Sequence, residues 1–108
     1  MQAANYTCGN FPPEVNEMEE SGLTPSPSSL VKPPRVAESA LQMECKVTYM
    51  HDIKNGNGDV TSTTVFGEVV MFHIHEEIHS IQDGRIVVDV EKYKPISRLG
   101  GNTYGMKL

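Results

Sequence analysis

Leu41, Met43, Cys45, Val47 and Tyr49 alternate with Gln42, Glu44, Lys46 and Thr48, the period of two of a strand with one buried face. The alternation predicts a half-buried strand over residues 41–49 with its apolar set facing inward. A longer apolar run, Val65-Phe66-Gly67-Glu68-Val69-Val70-Met71-Phe72-His73-Ile74, predicts a strand over residues 63–75 covered on both faces, as a central or barrel strand is. Between the two, Asn55-Gly56-Asn57-Gly58 offers the positive backbone angles of a tight reversal, so they are expected to pair antiparallel as a hairpin. Gly67, inside the second run, predicts a bulge or the close approach of another backbone or a ligand.

Outside the hairpin the pattern is weaker. Residues 1–13 show no periodicity and are expected to be irregular. Pro13, Glu14 and Glu17 suit a helix start and Gly22 a stop, which predicts a short helix over residues 14–21. Pro25, Pro27, Pro33 and Pro34 fix the backbone and remove donors, so residues 24–35 are expected to be an extended connector or a lid over a pocket. Asp83-Gly84 predicts a reversal between residues 79–82 and a short strand over residues 85–88. Asp89 predicts a capped helical turn that Pro95 ends. Residues 96–105 are expected to be a glycine-rich loop.

Large apolar residues are sparse before Ala40, so the core must come from the residues after it, and a sheet that small seldom covers itself. The expected organisation is one domain over residues 1–108, irregular or lid-like over 1–40 and a β core over 41–108. Uncovered edges and faces call for a partner, and a homodimer is the expectation.

Composition narrows the function. The formal net charge is −5, and the three arginines Arg35, Arg85 and Arg98 are scattered, so no electrostatic footprint for nucleic acid is present. No apolar run is long enough to cross a membrane, and the start Met1-Gln2-Ala3-Ala4-Asn5 lacks the charged and then apolar pattern of a signal region. A cytoplasmic location is the expectation, with Cys8 and Cys45 as free thiols and Cys45 on the inward face.

His75-Glu76-Glu77-Ile78-His79 matches a zinc-protease motif by letter. That motif needs a helix to bring positions four apart onto one face, and the first histidine ends a strand while Asp83-Gly84 soon turns the chain. No metal site is expected there. Cys45 alternates as a core residue rather than sitting at a helix start, and Glu44 and Glu68 are expected at solvated strand positions. The loop at residues 98–104 combines Arg98 with Gly100 and Gly101, whose backbone donors suit a phosphate or a planar ring.

Four stretches, taken in order, carry a family resemblance. They are Asn5-Tyr6-Thr7 through Pro12-Pro13-Glu14-Val15, Pro34-Arg35-Val36-Ala37-Glu38-Ser39 through Glu44-Cys45, Phe66-Gly67-Glu68-Val69-Val70, and Ser97-Arg98-Leu99-Gly100-Gly101-Asn102-Thr103-Tyr104. Together they resemble the flavin reductase-like, FMN-binding split-barrel family. The resemblance implies a mainly β, partial split barrel with short helices, completed by dimerisation. It also implies that a further N-terminal half of the family domain, with most of the FMN grip, lies outside this sequence. A histidine common before the glycine-glutamate-valine strand is replaced by Thr63 and Thr64.

The implied chemistry is hydride transfer between a nicotinamide, NAD(P)H, and FMN, or flavin-linked oxidation of a small organic substrate. The alternatives are a cofactor-free member catalysing an isomerisation or cyclisation, and a non-catalytic binding or scaffold protein. The expected site lies between residues 5–8 and 98–104 under a lid formed by residues 14–34. Arg98 and Tyr104 are the candidate catalytic residues, and Asn5, Thr7, Arg98, Gly100 and Gly101 the candidate cofactor contacts. Arg98 would meet an anionic or carbonyl group, because its guanidinium stays charged.

Overall fold

The computed structural model describes residues 1–106 and is built from short elements hung on one long hairpin. Helix α1 (Gln2–Tyr6) and helix α2 (Glu17–Glu20) precede a small ladder, in which β1 (Pro25–Ser26) pairs antiparallel with β2 (Arg35–Val36). Strands β3 (Leu41–Lys54) and β4 (Val60–Ile74) form the hairpin, and a 3₁₀ turn comes next at Glu76–Ile78. Then come the hairpin β5 (His79–Gln82) and β6 (Arg85–Val88), helix α3 (Val90–Tyr93), and a last hairpin of β7 (Ile96–Gly100) and β8 (Thr103–Met106). Among the described residues the strands form four two-stranded antiparallel sheets.

Local chemistry accounts for most of these boundaries. Gln2, Ala3 and Ala4 are good helix formers, so a turn of helix stands in place of the expected irregular segment. The helix expected over residues 14–21 is shorter than that, because Asn16 caps it by accepting from the Met18 amide at 3.2 Å. Gly22, at φ +73°, closes it with Leu23 N–H to Met18 O at 3.0 Å and Gly22 N–H to Glu19 O at 3.1 Å, the paired bonds of a Schellman ending. Asp83 (φ 50°) and Gly84 (φ 72°) make the expected reversal, and Asp89 caps α3 through the Glu91 and Lys92 amides. The glycine-rich tail is not a loop. Arg98 pairs with Tyr104 across a hairpin turned by Gly100 and Gly101.

The long hairpin forms as expected but extends further, because pairing continues from His51↔Thr64 to Lys54↔Val60. Around Glu44 the covered face is the polar one rather than the apolar one expected, and from Cys45 onward both faces are exposed. Glu44 is 2% exposed, whereas Met43 is 54%, Val47 63% and Tyr49 59% exposed. Cys45 is exposed rather than inward. Strand β4 is exposed along most of its length rather than covered on both faces.

Two bulges explain the unbroken apolar run. The register steps from Glu44↔Met71 to Cys45↔Val69, leaving Val70 extra, and from Val47↔Gly67 to Tyr49↔Phe66, leaving Thr48 extra. The extra Val70 on β4 lets Met43↔Phe72 and Cys45↔Val69 share one face as cross-strand pairs of an apolar stripe, while the extra Thr48 on β3 sets Tyr49↔Phe66 on the opposite side. Tyr49 and Phe66 touch, with ring centroids 5.7 Å apart. The Thr48 hydroxyl donates to Phe66 O at 3.2 Å across its bulge, and a β-carbon on Gly67 would lie 3.3 Å from that of Cys45.

The chain leaves this stripe bare. Among the described residues Ile78, 6% exposed, is the one apolar side chain that is fully buried. The radius of gyration is 16.8 Å, against about 13 Å for a compact chain of this length. The accessible surface is 8650 Å², against about 6,000 Å² for a folded monomer of this mass.

Candidate functional site

The proline-rich connector lies on the polar face of the hairpin, and one carboxylate holds it there. Prolines leave the connector without a ladder to occupy its amides, and a buried amide needs a partner. Glu44 supplies it. Its carboxylate accepts from the amides of Ser29 (2.9 and 3.0 Å), Leu30 (2.6 Å) and Val31 (3.2 Å), three successive donors converging on one anion. The His73 ring on β4 bonds the same carboxylate through Nε2, and an ionised carboxylate only accepts, so Nε2 carries the proton. Desolvation pushes the Glu44 carboxyl up, but the amides of Ser29 and Leu30, the His73 ring and the Val31 amide outweigh it and hold the pKa at about 2.

Arg35 on β2 ties the connector's other end. Its Nε and Nη2 donate to Pro27 O at 3.1 and 2.9 Å, Nη2 reaches Ser26 Oγ at 3.4 Å, and Nη1 donates to Gln42 Oε1 at 2.8 Å. At the connector's start, Thr24 N–H bonds both Glu38 carboxylate oxygens at 2.9 and 3.0 Å. The side chain and amide of Thr24 lower the Glu38 pKa.

Two cavities flank the Arg35–Gln42 bond. One of about 290 Å³ lies between connector and β3, its apolar walls including Val31, Pro33, Val36, Leu41 and Met43. The other, of about 190 Å³, is bounded by Arg35, Ser39, Gln42, His73, Ile74 and His75. Arg35, Ser39 and Gln42 line both.

The residues singled out from the sequence fall elsewhere, at the two ends of the chain. Tyr104 donates its hydroxyl to Asn5 Oδ1 at 2.5 Å, joining β8 to α1 across 99 positions. Thr7 Oγ1 donates to Ala4 O at 2.8 Å within its own helical segment. Arg98 Nη2 donates to Gly101 O at 3.2 Å, inside the last hairpin, where Gly100 shapes the turn at φ +124°. Asn5 and Tyr104 are thus brought together, while Arg98 and Thr7 make local bonds. None of these residues lines either cavity.

Sequence reasoning missed Glu44, Gln42 and Arg35 as shapers of a site. The available signal was the mismatch between four prolines and the free amides of Ser29-Leu30-Val31, which demands an acceptor from a neighbouring element. The zinc-protease letters form no helix. His75 and His79 are both extended, Glu76–Ile78 is a 3₁₀ turn between them, and His79 Nδ1 lies 3.0 Å from His75 O.

A flavin mononucleotide needs an apolar slot for its ring and clustered donors for its phosphate. The described residues supply the slot. They do not supply the donors, since Glu44 already occupies the three-amide nest and the bonds of Arg35 leave one of its five N–H groups. Among the described residues, the donors around this slot do not fit the phosphate.

The family model of the flavin reductase like domain matches residues 1–92. An uncharacterized protein of Halalkalibacterium halodurans is 38% identical over 105 residues, which is 97% of this chain and 48% of that one. The crystal structure of nitrilotriacetate monooxygenase component B from Bacillus cereus superposes with a TM-score of 0.84 at 33% identity, covering 97% of this chain and 50% of that one. A split-barrel-domain protein of Shewanella frigidimarina, 24% identical with a TM-score of 0.75, shares the fold over 97% of this chain and 50% of its own. The chain spans about half the length of the relatives it matches. Its mainly β architecture is that of the split barrel, and the chain belongs to the flavin reductase-like family.

Proposed function

We propose that this chain forms part of a flavin-dependent oxidoreductase unit acting on small molecules. FMN is the cofactor of this reading, and NAD(P)H or a small organic compound its redox partner. The observation that carries it is the match to the flavin reductase like domain across residues 1–92, together with an apolar-walled cavity under a pinned connector. The protein of Bacillus cereus with the same fold is named as a component of a monooxygenase. When bound, the flavin supplies the redox chemistry. The residues of this chain shape and dry the slot beside it, and the phosphate is gripped by groups outside this chain.

A second copy of the chain covers the bare stripe, since the surface in excess of a compact monomer is of the size that obligate interfaces bury, about 2,000 Å² or more. In that assembly the contact of Asn5 with Tyr104 forms the other end of the site. Arg98, Gly100 and Gly101 offer a guanidinium and backbone donors, Tyr104 a proton donor or stacking ring, and Asn5 and Thr7 orient the ligand.

Titration of the purified protein with FMN and with riboflavin, followed by quenching of flavin fluorescence, tests this. Both should bind, with similar affinity, because this chain holds the ring and not the phosphate. Absence of quenching by either flavin overturns the reading. The incomplete donor set favours one competing reading, a cofactor-free member that binds a small organic substrate, which is colourless and blind to both flavins.

A further inference from the structure

We propose that the smaller cavity, beside the apolar one, is a carboxylate site and that the two together hold a small organic acid. This deepens the functional reading by naming a substrate class. It rests on that reading for the acid being a substrate, though not for its being bound.

Among the residues lining the smaller cavity there is no carboxylate, while there are one guanidinium, one carboxamide and two imidazoles. Two acceptors on this wall already hold a donor. Gln42 Oε1 receives Arg35 Nη1 at 2.8 Å, Ser39 O receives Gln42 Nε2 at 2.7 Å, and the Ser39 hydroxyl is turned to Leu41 O at 2.7 Å.

The donors are not exhausted. Arg35 keeps one N–H and Gln42 keeps the second hydrogen of its amide. His75 accepts the Glu77 amide on Nδ1 at 3.4 Å, which places the proton of the neutral ring on Nε2, and that nitrogen has no bonding partner among the described residues. A wall with open donors and a fixed positive charge selects an anion.

The rest of the site decides which anion. The one remaining guanidinium N–H and two further donors suit the two oxygens of a planar carboxylate better than a phosphate dianion, which needs more donors. Arg35, Ser39 and Gln42 belong to both cavities, so the charged wall opens directly onto Val31, Val36, Leu41 and Met43. A ligand with a carboxylate head and a carbon body fills the pair, at about 190 and 290 Å³. The combined space is within the usual range of small-molecule pockets, about 300–1,000 Å³. Glu44 lines only the apolar cavity, where three amides and His73 donate to its carboxylate.

The probes are benzoate, its neutral isostere benzamide, and inorganic phosphate, each titrated into the full chain by calorimetry with the His75 ring monitored by NMR. Benzoate is expected to bind and shift the His75 resonances, and benzamide to bind at least about tenfold more weakly, the scale of one charge-assisted hydrogen bond. His75→Leu removes the Nε2 donor and should weaken benzoate by a larger factor than benzamide, because the bond to a charged acceptor is the stronger. Gln42→Glu places a carboxylate in the wall while keeping an acceptor for Arg35, so it should abolish benzoate binding; it forfeits the bond to Ser39 O, so circular dichroism checks that the variant is folded.

Equal affinity for benzoate and benzamide overturns the proposal, as does benzoate binding indifferent to both substitutions. Tight phosphate binding without benzoate binding overturns it in favour of a phosphate site. The flavin ring and the acid's carbon body draw on the same apolar cavity, so riboflavin is titrated without benzoate; intact quenching with no benzoate binding then condemns the carboxylate site alone.

Discussion

Replacing Phe72 by aspartate asks whether the bare stripe is a covered interface. Phe72 sits opposite Met43 and leaves 56% of its surface open in the single chain. Full burial of a phenylalanine side chain is worth about 1.5–3 kcal/mol, so covering the open half contributes about 1–1.5 kcal/mol per chain. An aspartate in the same covered position loses that and leaves a charge without a partner, a further cost on the order of 3–5 kcal/mol. On a face open to water the same change stays within about 0.5 kcal/mol. The two cases differ by several kcal/mol, which urea denaturation resolves easily. The parent should be dimeric by light scattering at micromolar concentration, with a urea midpoint that rises with protein concentration. Phe72→Asp should dissociate and unfold together, while a control at the exposed Ser80 of β5, Ser80→Asp, should do neither. A parent that is a folded monomer, with Phe72→Asp equally stable, would refute the burial of this stripe in the native assembly.

The hairpin, the turn at Asp83-Gly84, the cap at Asp89 and the stop at Gly22 are all legible in the sequence, because each depends on neighbours within a few positions. The faces of the hairpin are not. Alternation from Leu41 to Tyr49 says that two faces differ in polarity, and the ordinary inference puts the apolar one in the interior. In this chain what covers a face is the connector, and the connector brings amides, so the covered face is the one carrying Gln42 and Glu44. Strand β4 misleads for a different reason. Val69 and Phe72 are three apart, a spacing that a regular strand puts on opposite faces, and the bulge at Val70 restores them to one side. Gly67 hints at one bulge and nothing marks the other at Val70. The cavities are the least legible feature, since their walls join residues 28–45 to His73 and His75 through side-chain bonds that no local pattern encodes.

Other outcomes depend on single groups. Gly84→Ala should cost about 1–2 kcal/mol through backbone strain alone, since φ is +72° and no atom lies within 4 Å of the added carbon; thermal melting checks it. Gly67→Val should cost more, because a β-carbon already lies 3.3 Å from Cys45 Cβ, and loss of amide protection around both bulges would report it. Arg98→Ala should reduce ligand affinity with the melting temperature little changed if the last hairpin serves the site, whereas a lower melting temperature with intact binding assigns Arg98 to pinning Gly101. Acid should release the connector. The folded pKa of Glu44, about 2, lies below the ordinary carboxylate value of 4.5, so the stability it confers is fully present above about 4.5 and is lost as pH falls towards 2. Hydrogen exchange at Ser29, Leu30 and Val31 should therefore stay slow at neutral pH and, once corrected for its intrinsic pH dependence, accelerate selectively across that window. Glu44→Gln removes the charge but keeps one acceptor, so the three amides should exchange faster at neutral pH and no longer respond to acid in that range. If the variant kept the acid response of the parent, some other carboxyl would hold the connector, and Glu44 would not be what fixes the cavity roof.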